Sequence, residues 1–250
     1  MKRIGCLMLA LCMCAAPALA APAVEAQPLA GQACYPAGSD AGTARFVFSY
    51  VYPQLIPGSE ADRQINAWYR NLATDAASAG DAEAAMLGEP PPAGTPAWYT
   101  HLDYRITHSG EDYLSVLLLA TRFQGNAEAE SWAAEVFARS GVYLGQPVSL
   151  SQAMGLEQAE GAAPQASYAA DLAYALIWQI IQSDAASGAR AYYADLTEPD
   201  LRLALNPESD YYMDEDGNIV FFVQAGELAS EVEGVLTYPF SHAELLSDAR

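Results

Sequence analysis

Hydrophobic and polar positions alternate from Arg45 to Tyr52 (RFVFSYVY), a β-prone run that predicts a strand stopped by Pro53 and Pro57-Gly58. From Ser59 the period lengthens. Ile65, Trp68, Tyr69, Leu72 and Ala76 recur at helical spacing, predicting an amphipathic helix that Ser59 opens and whose stripe faces the core. Gly80, Gly88, Pro90-Pro91-Pro92, Gly94 and Pro96 then predict a loop from Ala79 to Ala97. Strands over Trp98 to Thr107 and Asp112 to Phe123 follow, joined by a hairpin at His108-Ser109-Gly110-Glu111. In the second, Leu114, Val116, Leu118 and Ala120 share one face, and Tyr113, Ser115, Leu117 and Leu119 the other. Only Ser115 on that other face is small and polar, as suits a central strand.

The window Asn126 to Arg139 fits two periods. Its composition favours a helix, yet Trp132, Ala134 and Val136 also line one face of a strand. Gly145 to Ala153 reads as a short strand entering a helical turn. Ser167 to Ser183 reads as a helix in which Asp171, Gln179 and Gln182 form a thin polar edge. Leu172, Leu176, Ile177, Trp178, Ile180 and Ile181 fill the remainder, so the helix belongs under a sheet. Thr197-Glu198-Pro199-Asp200 caps a further short helix reaching about Leu205.

From Tyr211 to Leu246 the pattern predicts a hairpin, a strand, a spacer, another strand and a closing helix. Asp216-Gly217 signals a two-residue type I′ turn. Ile219 to Val223 (IVFFV) has no polar side chain and should be buried on both faces. Ser241 and Glu244 are spaced as a capping box.

The N-terminus follows a different logic. Lys2 and Arg3 precede an apolar run from Ile4 to Ala16, and Ala18-Leu19-Ala20 supplies a small-residue cleavage site. Residues 1–20 are expected to be a signal peptide cleaved before Ala21, making the protein exported, either periplasmic or extracellular. The apolar run falls short of the roughly 20 residues of a bilayer span. Cys12 and Cys14 follow Leu11 and Met13, too bulky for lipoprotein processing. Residues 21–43, rich in Ala, Pro and Gly, are expected to be a flexible lead-in. Three of the four Cys lie in the signal, so Cys34 has no internal disulfide partner in the mature chain. Without Lys2 and Arg3, 9 arginines face 31 acidic residues, a formal charge of −22. Such a surface repels nucleic acid and attracts cationic partners, besides keeping the chain soluble.

The order of elements resembles two domain families. Tyr52-Pro53-Gln54-Leu55 after a strand, with Ile65-Asn66 in the next helix, resembles the start of a DUF4163 (PdaC-type) domain. The buried helix followed by Tyr211-Tyr212-Met213, Gly217, Ile219 to Phe222, Glu227-Leu228-Ala229, Gly234 and Pro239 to Glu244-Leu245 resembles DUF3298. Together they span about Arg45 to Leu246.

The resemblance implies an α/β (α+β) fold: a mostly antiparallel, curled sheet packed around helices. A DUF4163-like half (44–125) and a DUF3298-like half (126–250) would form one compact unit, and the window Asn126 to Arg139 would be a strand. RsiV-like members are lysozyme-sensing anti-sigma factors, and others accompany peptidoglycan deacetylases as non-catalytic regions. The implied function is that of a secreted or periplasmic, non-catalytic binding protein of the bacterial cell envelope. Its ligand would be a cationic protein such as lysozyme or a peptidoglycan-type glycan. The chain departs from the family at Gln124-Gly125-Asn126-Ala127, where Gly-Gly-Ala-His is common, and at Ala225-Gly226, where Pro-Tyr is common.

Reactive chemistry is sparse. His101, His108 and His242 have no second His or Cys at metal-ligand spacing, and no cofactor motif occurs. Asp214, Asp216 and Asn218 imitate the start of a calcium loop, but its Gly and final acid positions hold Ile219 and Ala225. Glu111-Asp112 is the kind of acidic pair that the competing reading, an envelope hydrolase using paired carboxylates, would need. Trp98, Tyr99, Tyr104, Tyr192-Tyr193 and Tyr211-Tyr212 are candidates for stacking on sugars or anchoring a protein, set against ordinary packing.

Overall fold

The structure, a computed structural model, describes residues 27–40, 42–87, 91, 95–156 and 166–247. The expected signal peptide lies outside them. Strands β1 (Leu29–Tyr35), β2 (Phe46–Tyr52), β3 (Trp98–Ser109), β4 (Tyr113–Phe123) and β5 (Glu128–Ala138) form one sheet in that order. Strands β6 (Tyr211–Met213), β7 (Ile219–Val223) and β8 (Leu236–Phe240) form a second. The helices are α1 (Glu60–Met86), α2 (Leu150–Ala153), α3 (Ala166–Ser187), α4 (Glu198–Ala204) and α5 (His242–Ser247). The fold is therefore α+β. Where the resemblance implies one curled sheet, the chain builds two, and β2 and β3 run parallel, with Ser49 opposite His101. The parallel pair follows from connectivity, because β2 reaches β3 through α1 rather than through a tight turn.

Two elements go beyond the sequence pattern. The expected flexible lead-in contains β1, antiparallel to β2 with Gly31 opposite Tyr50. A Cβ on Gly31 would lie 2.5 Å from the Tyr50 ring, so the bare backbone is what lets that ring fold across the edge strand. Likewise α1 runs through Gly80 to Met86, inside the expected loop. There a Cβ would come within 2.9 Å of Phe48 and of the Tyr35 hydroxyl. The glycine that reads as a breaker instead lets the helix lie directly on β1 and β2.

Other expectations hold. The Ser59 side chain accepts from Asp62 N (3.1 Å) at the start of α1. Ile65, Tyr69 and Ala76 are buried, while Trp68 stays 38% exposed with its ring 6.2 Å from that of Phe137. The ambiguous window is strand β5, paired with β4 along its whole length. Helix α3 buries Ala169, Ala173, Ile177 and Ile181, one residue per turn, against the second sheet's side of the core. All five residues of β7 are buried. Ser241 and Glu244 form the expected reciprocal bonds, Ser241 N donating to Glu244 Oε2 (2.7 Å) and Glu244 N to Ser241 Oγ (3.3 Å).

The expected type I′ turn does not form. It requires positive φ at both central residues, and only Gly217 has it (81°). The β6–β7 connection spans Asp214 to Asn218, and Asp214 Oδ1 accepts from Asp216 N (3.0 Å) and Asn218 N (2.9 Å). The calcium-like residues are thus spent on holding a turn.

Polar contacts join the sheets. Ser115, fully buried, accepts from Met213 N (3.0 Å) and from Thr107 Oγ1 (2.9 Å). Gln224 pairs through its side-chain amide with the main chain of Trp132, at 3.0 and 2.8 Å. That clamp occupies part of the open edge of β5.

Candidate functional site

A concavity lies where the C-terminal end of α1 meets the starts of β2 and β3. Main-chain bonds set its walls. Arg45 N donates to Tyr35 O (2.8 Å) and Trp98 N to Arg45 O (2.9 Å), so these three residues are carried side by side at the mouth. The Tyr35 and Phe46 rings stand 5.6 Å apart and form an apolar wall with Leu87. The resulting cavity is about 400 Å³. A second cavity, about 690 Å³, shares Leu87 and Trp98 with the first and is lined further by Glu83, Met86, Arg122 and Gln124. Both volumes lie within the range of small-ligand sites. Trp98 is half-buried, so its indole borders both spaces.

Charge in the cleft is unevenly satisfied. Glu83 accepts from Thr100 Oγ1 (2.6 Å) and pairs with Arg122 Nε (3.5 Å). Arg45 is exposed and has no ion pair among the described residues. Burial, aided by the Asp81 carboxylate, pushes the Tyr35 phenol up to about 12, and its hydroxyl lies buried against Gly80 rather than open to the cavity.

Of the aromatic candidates, only Trp98 lines this cleft. Tyr99 points to the opposite face of β3, stacks on Phe123 (5.6 Å) and donates to the Glu128 carboxylate. Tyr104 is half-buried in the core beside α1. The other pairs divide as strand alternation suggests. Tyr192 faces Tyr238 (3.4 Å between hydroxyls) while Tyr193 stays 44% exposed and donates to Gly226 O (3.0 Å). Tyr211 is buried and donates to Val148 O (2.9 Å), and Tyr212 packs against Trp132 and Phe222. Gly125, at the departure from the family pattern, passes the edge of Trp98, where a Cβ would lie 3.2 Å from Nε1.

The histidines do not converge. His101 Nδ1 bonds Ser49 Oγ (2.9 Å), His242 is exposed, and His108 is a strand residue rather than a turn residue. Its Nδ1–H donates to Asp214 O (3.0 Å), tying the two hairpins together. Among the described residues no group of three or more His, Cys, Asp or Glu side chains is placed to hold a metal ion. Glu111 and Asp112 are exposed, and Asp112 accepts from Ser140 Oγ (2.9 Å). Half-buried Cys34 lies within β1.

One carboxyl stands apart. Glu135 on β5 shares a face with Val116 and Phe137, and burial pushes it up to about 7. It has no hydrogen-bond or ion-pair partner among the described residues. A raised acid binds its proton more tightly in the folded chain, so its contribution is complete below about pH 4.5. That contribution is lost as pH rises toward 7. Glu135→Gln is expected to leave stability unchanged at pH 4 and to raise it by about 2 kcal/mol at pH 8. Urea unfolding at the two pH values tests this; an equal effect at both would show that the shift is absent.

No family model and no curated protein matches the sequence. Solved structures are similar, among them two from DUF3298 family proteins. One, a DUF3298 family member from Bacteroides fragilis NCTC 9343, aligns with a TM-score of 0.52 at 10% identity, covering 90% of this chain and 92% of that one. The other, a DUF3298 family protein from Pseudomonas aeruginosa PAO1, aligns with a TM-score of 0.45 at 12% identity, covering 88% and 91%. Across nearly its whole described length, and in spite of the low identity, this chain has the fold of a DUF3298 family protein.

Proposed function

We propose that the chain is a non-catalytic binding protein of the bacterial cell envelope, exported to the periplasm or the medium. Its ligand is a peptidoglycan-type glycan or a cationic protein such as lysozyme. The observation that carries this reading is the open cleft around Trp98. A half-buried indole bordering two cavities, with a phenol and an arginine beside it, suits a ring-shaped polar ligand with apolar faces. The net charge of −20 favours encounter with a basic partner, and the charged, then apolar, then small-residue N-terminus favours export.

The hydrolase reading draws on Glu135, whose raised value suits a general acid. Burial alone accounts for that value, with no contribution from a facing carboxylate. Binding is therefore the better-supported reading.

Co-sedimentation with insoluble peptidoglycan, and calorimetric titration with lysozyme at low and at about 0.5 M salt, test it. Saturable binding to either one is expected. Retention of neither at low salt would sink the proposal, and lysozyme binding that vanishes at high salt would reduce it to general charge attraction.

A further inference from the structure

We infer that the Trp98 cleft selects a saccharide bearing a single carboxylate, and that Arg45 reads that carboxylate. The inference rests on the binding reading above and narrows its ligand. Arg45 is the starting point. The chain holds 31 acidic residues against 11 basic ones, so an arginine without an ion pair does not reflect a shortage of acids. Arg63, Arg122, Arg139, Arg190 and Arg202 all have carboxylate partners. Arg45 has none among the described residues, like the exposed Arg70 and Arg105, but unlike them it lines the cleft, and its main chain is pinned on both sides, to Tyr35 and to Trp98. A guanidinium fork held at the rim of a 400 Å³ cavity is suited to bidentate capture of a carboxylate.

The other wall groups fit the rest of such a ligand. Trp98 offers an indole against which the apolar face of a pyranose can stack, and the Tyr35 ring, whose hydroxyl is buried against Gly80, extends that apolar wall. The protein's overall negative charge argues for one carboxylate rather than many. A polyanion would be repelled along its length, whereas one carboxylate delivered to Arg45 gains a local contact. Glu83, which lines the second cavity with Trp98, is already occupied by Thr100 and Arg122 and so does not compete for Arg45.

The test compares N-acetylmuramic acid with N-acetylglucosamine, which lacks the whole 3-O-lactyl group with its carboxylate, and with glucuronic acid. Ligand-observed NMR on the full chain and on Arg45→Gln and Trp98→Ala gives the affinities. N-acetylmuramic acid should bind at least about tenfold more tightly than N-acetylglucosamine, and Arg45→Gln should remove that difference. Trp98→Ala should weaken both sugars. Arg45 is exposed, so the variant should keep its fold, which circular dichroism verifies. Comparable binding of glucuronic acid would mean that any carboxylated sugar is read, and its exclusion that the lactyl ether is required; both support the role of Arg45. Equal affinity for the two N-acetyl sugars, unaltered by Arg45→Gln, would overturn the inference and leave the binding reading intact. Retention on peptidoglycan without binding of any of these sugars would also overturn it. Loss of peptidoglycan and lysozyme binding as well would overturn both.

Discussion

Asp62→Ala is expected to lower the unfolding free energy by about 3–5 kcal/mol, because it strands a buried guanidinium. Asp62 is 1% exposed at the first turn of α1, and its Oδ1 accepts from Arg139 Nη2 at 3.0 Å. Its Oδ2 accepts from Gly58 N at 3.1 Å. Arg139, just past the end of β5, also donates through Nη1 to Gly110 O at 2.7 Å, while its Nε is buried without a partner. One guanidinium thus fastens the crossover helix, the β3–β4 hairpin and the end of β5. Without Asp62 the charge keeps its desolvation and loses its counter-charge, and Gly58 N loses its acceptor. The double variant Asp62→Leu/Arg139→Met should recover most of the loss, since apolar replacement of a whole buried pair is often neutral or favourable. Urea denaturation of the single and double variants measures both effects. A single-variant cost below about 1 kcal/mol would mean that the pair is screened as at a surface.

Phe137→Ala should cost about 3–5 kcal/mol through lost burial and the cavity left behind. Phe137 is fully buried on β5, edge-on to Tyr69 (5.7 Å, 61°) and to Trp68 (6.2 Å, 78°). It stands opposite Leu114 in the ladder with β4 and bridges to Pro147 on its other side. Truncation would therefore open a void between α1 and the sheet at the point where β5 leaves it. Trp68, already partly exposed, would lose its packing surface, so tryptophan emission should shift to the red in the folded variant. A shift in the denaturant midpoint with little change in slope would place the effect in the folded core. A cost near that of an exposed substitution would mean that the surroundings collapse to fill the space.

These two sites show how unevenly the fold was legible. Ser59 and the stripe behind it predict α1 correctly, because a cap and a period depend on residues within a few positions of one another. The Ser241–Glu244 box and the apolar run of β7 are legible for the same reason. The extension of α1 through Gly80 was not, because the benefit of a missing Cβ there comes from Phe48 and Tyr35, which no local pattern brings near. β1 was hidden likewise. Its residues gain strand structure from pairing with β2, and Gly31 matters only because Tyr50 lies across it.

The candidate site divides in the same way. Trp98 draws notice in the sequence as an aromatic at the start of a strand. Tyr35 and Arg45 do not, because their place beside Trp98 depends on main-chain bonds between β1, β2 and β3. The elevated Glu135 carboxyl is equally invisible, since its cause is burial on the face of the sheet shared with Phe137, not any neighbour in the chain.

By itself, the sequence determined the starts of the helices, the central and buried strands and the acidic charge. Each of these depends on side-chain identity and short-range spacing. Only the tertiary structure decided that there are two sheets, that β2 and β3 run parallel, that the ambiguous window is an edge strand and that an unpaired arginine sits beside Trp98. Those outcomes depend on which distant surfaces exclude water together, and contacts of that kind have no period along the chain.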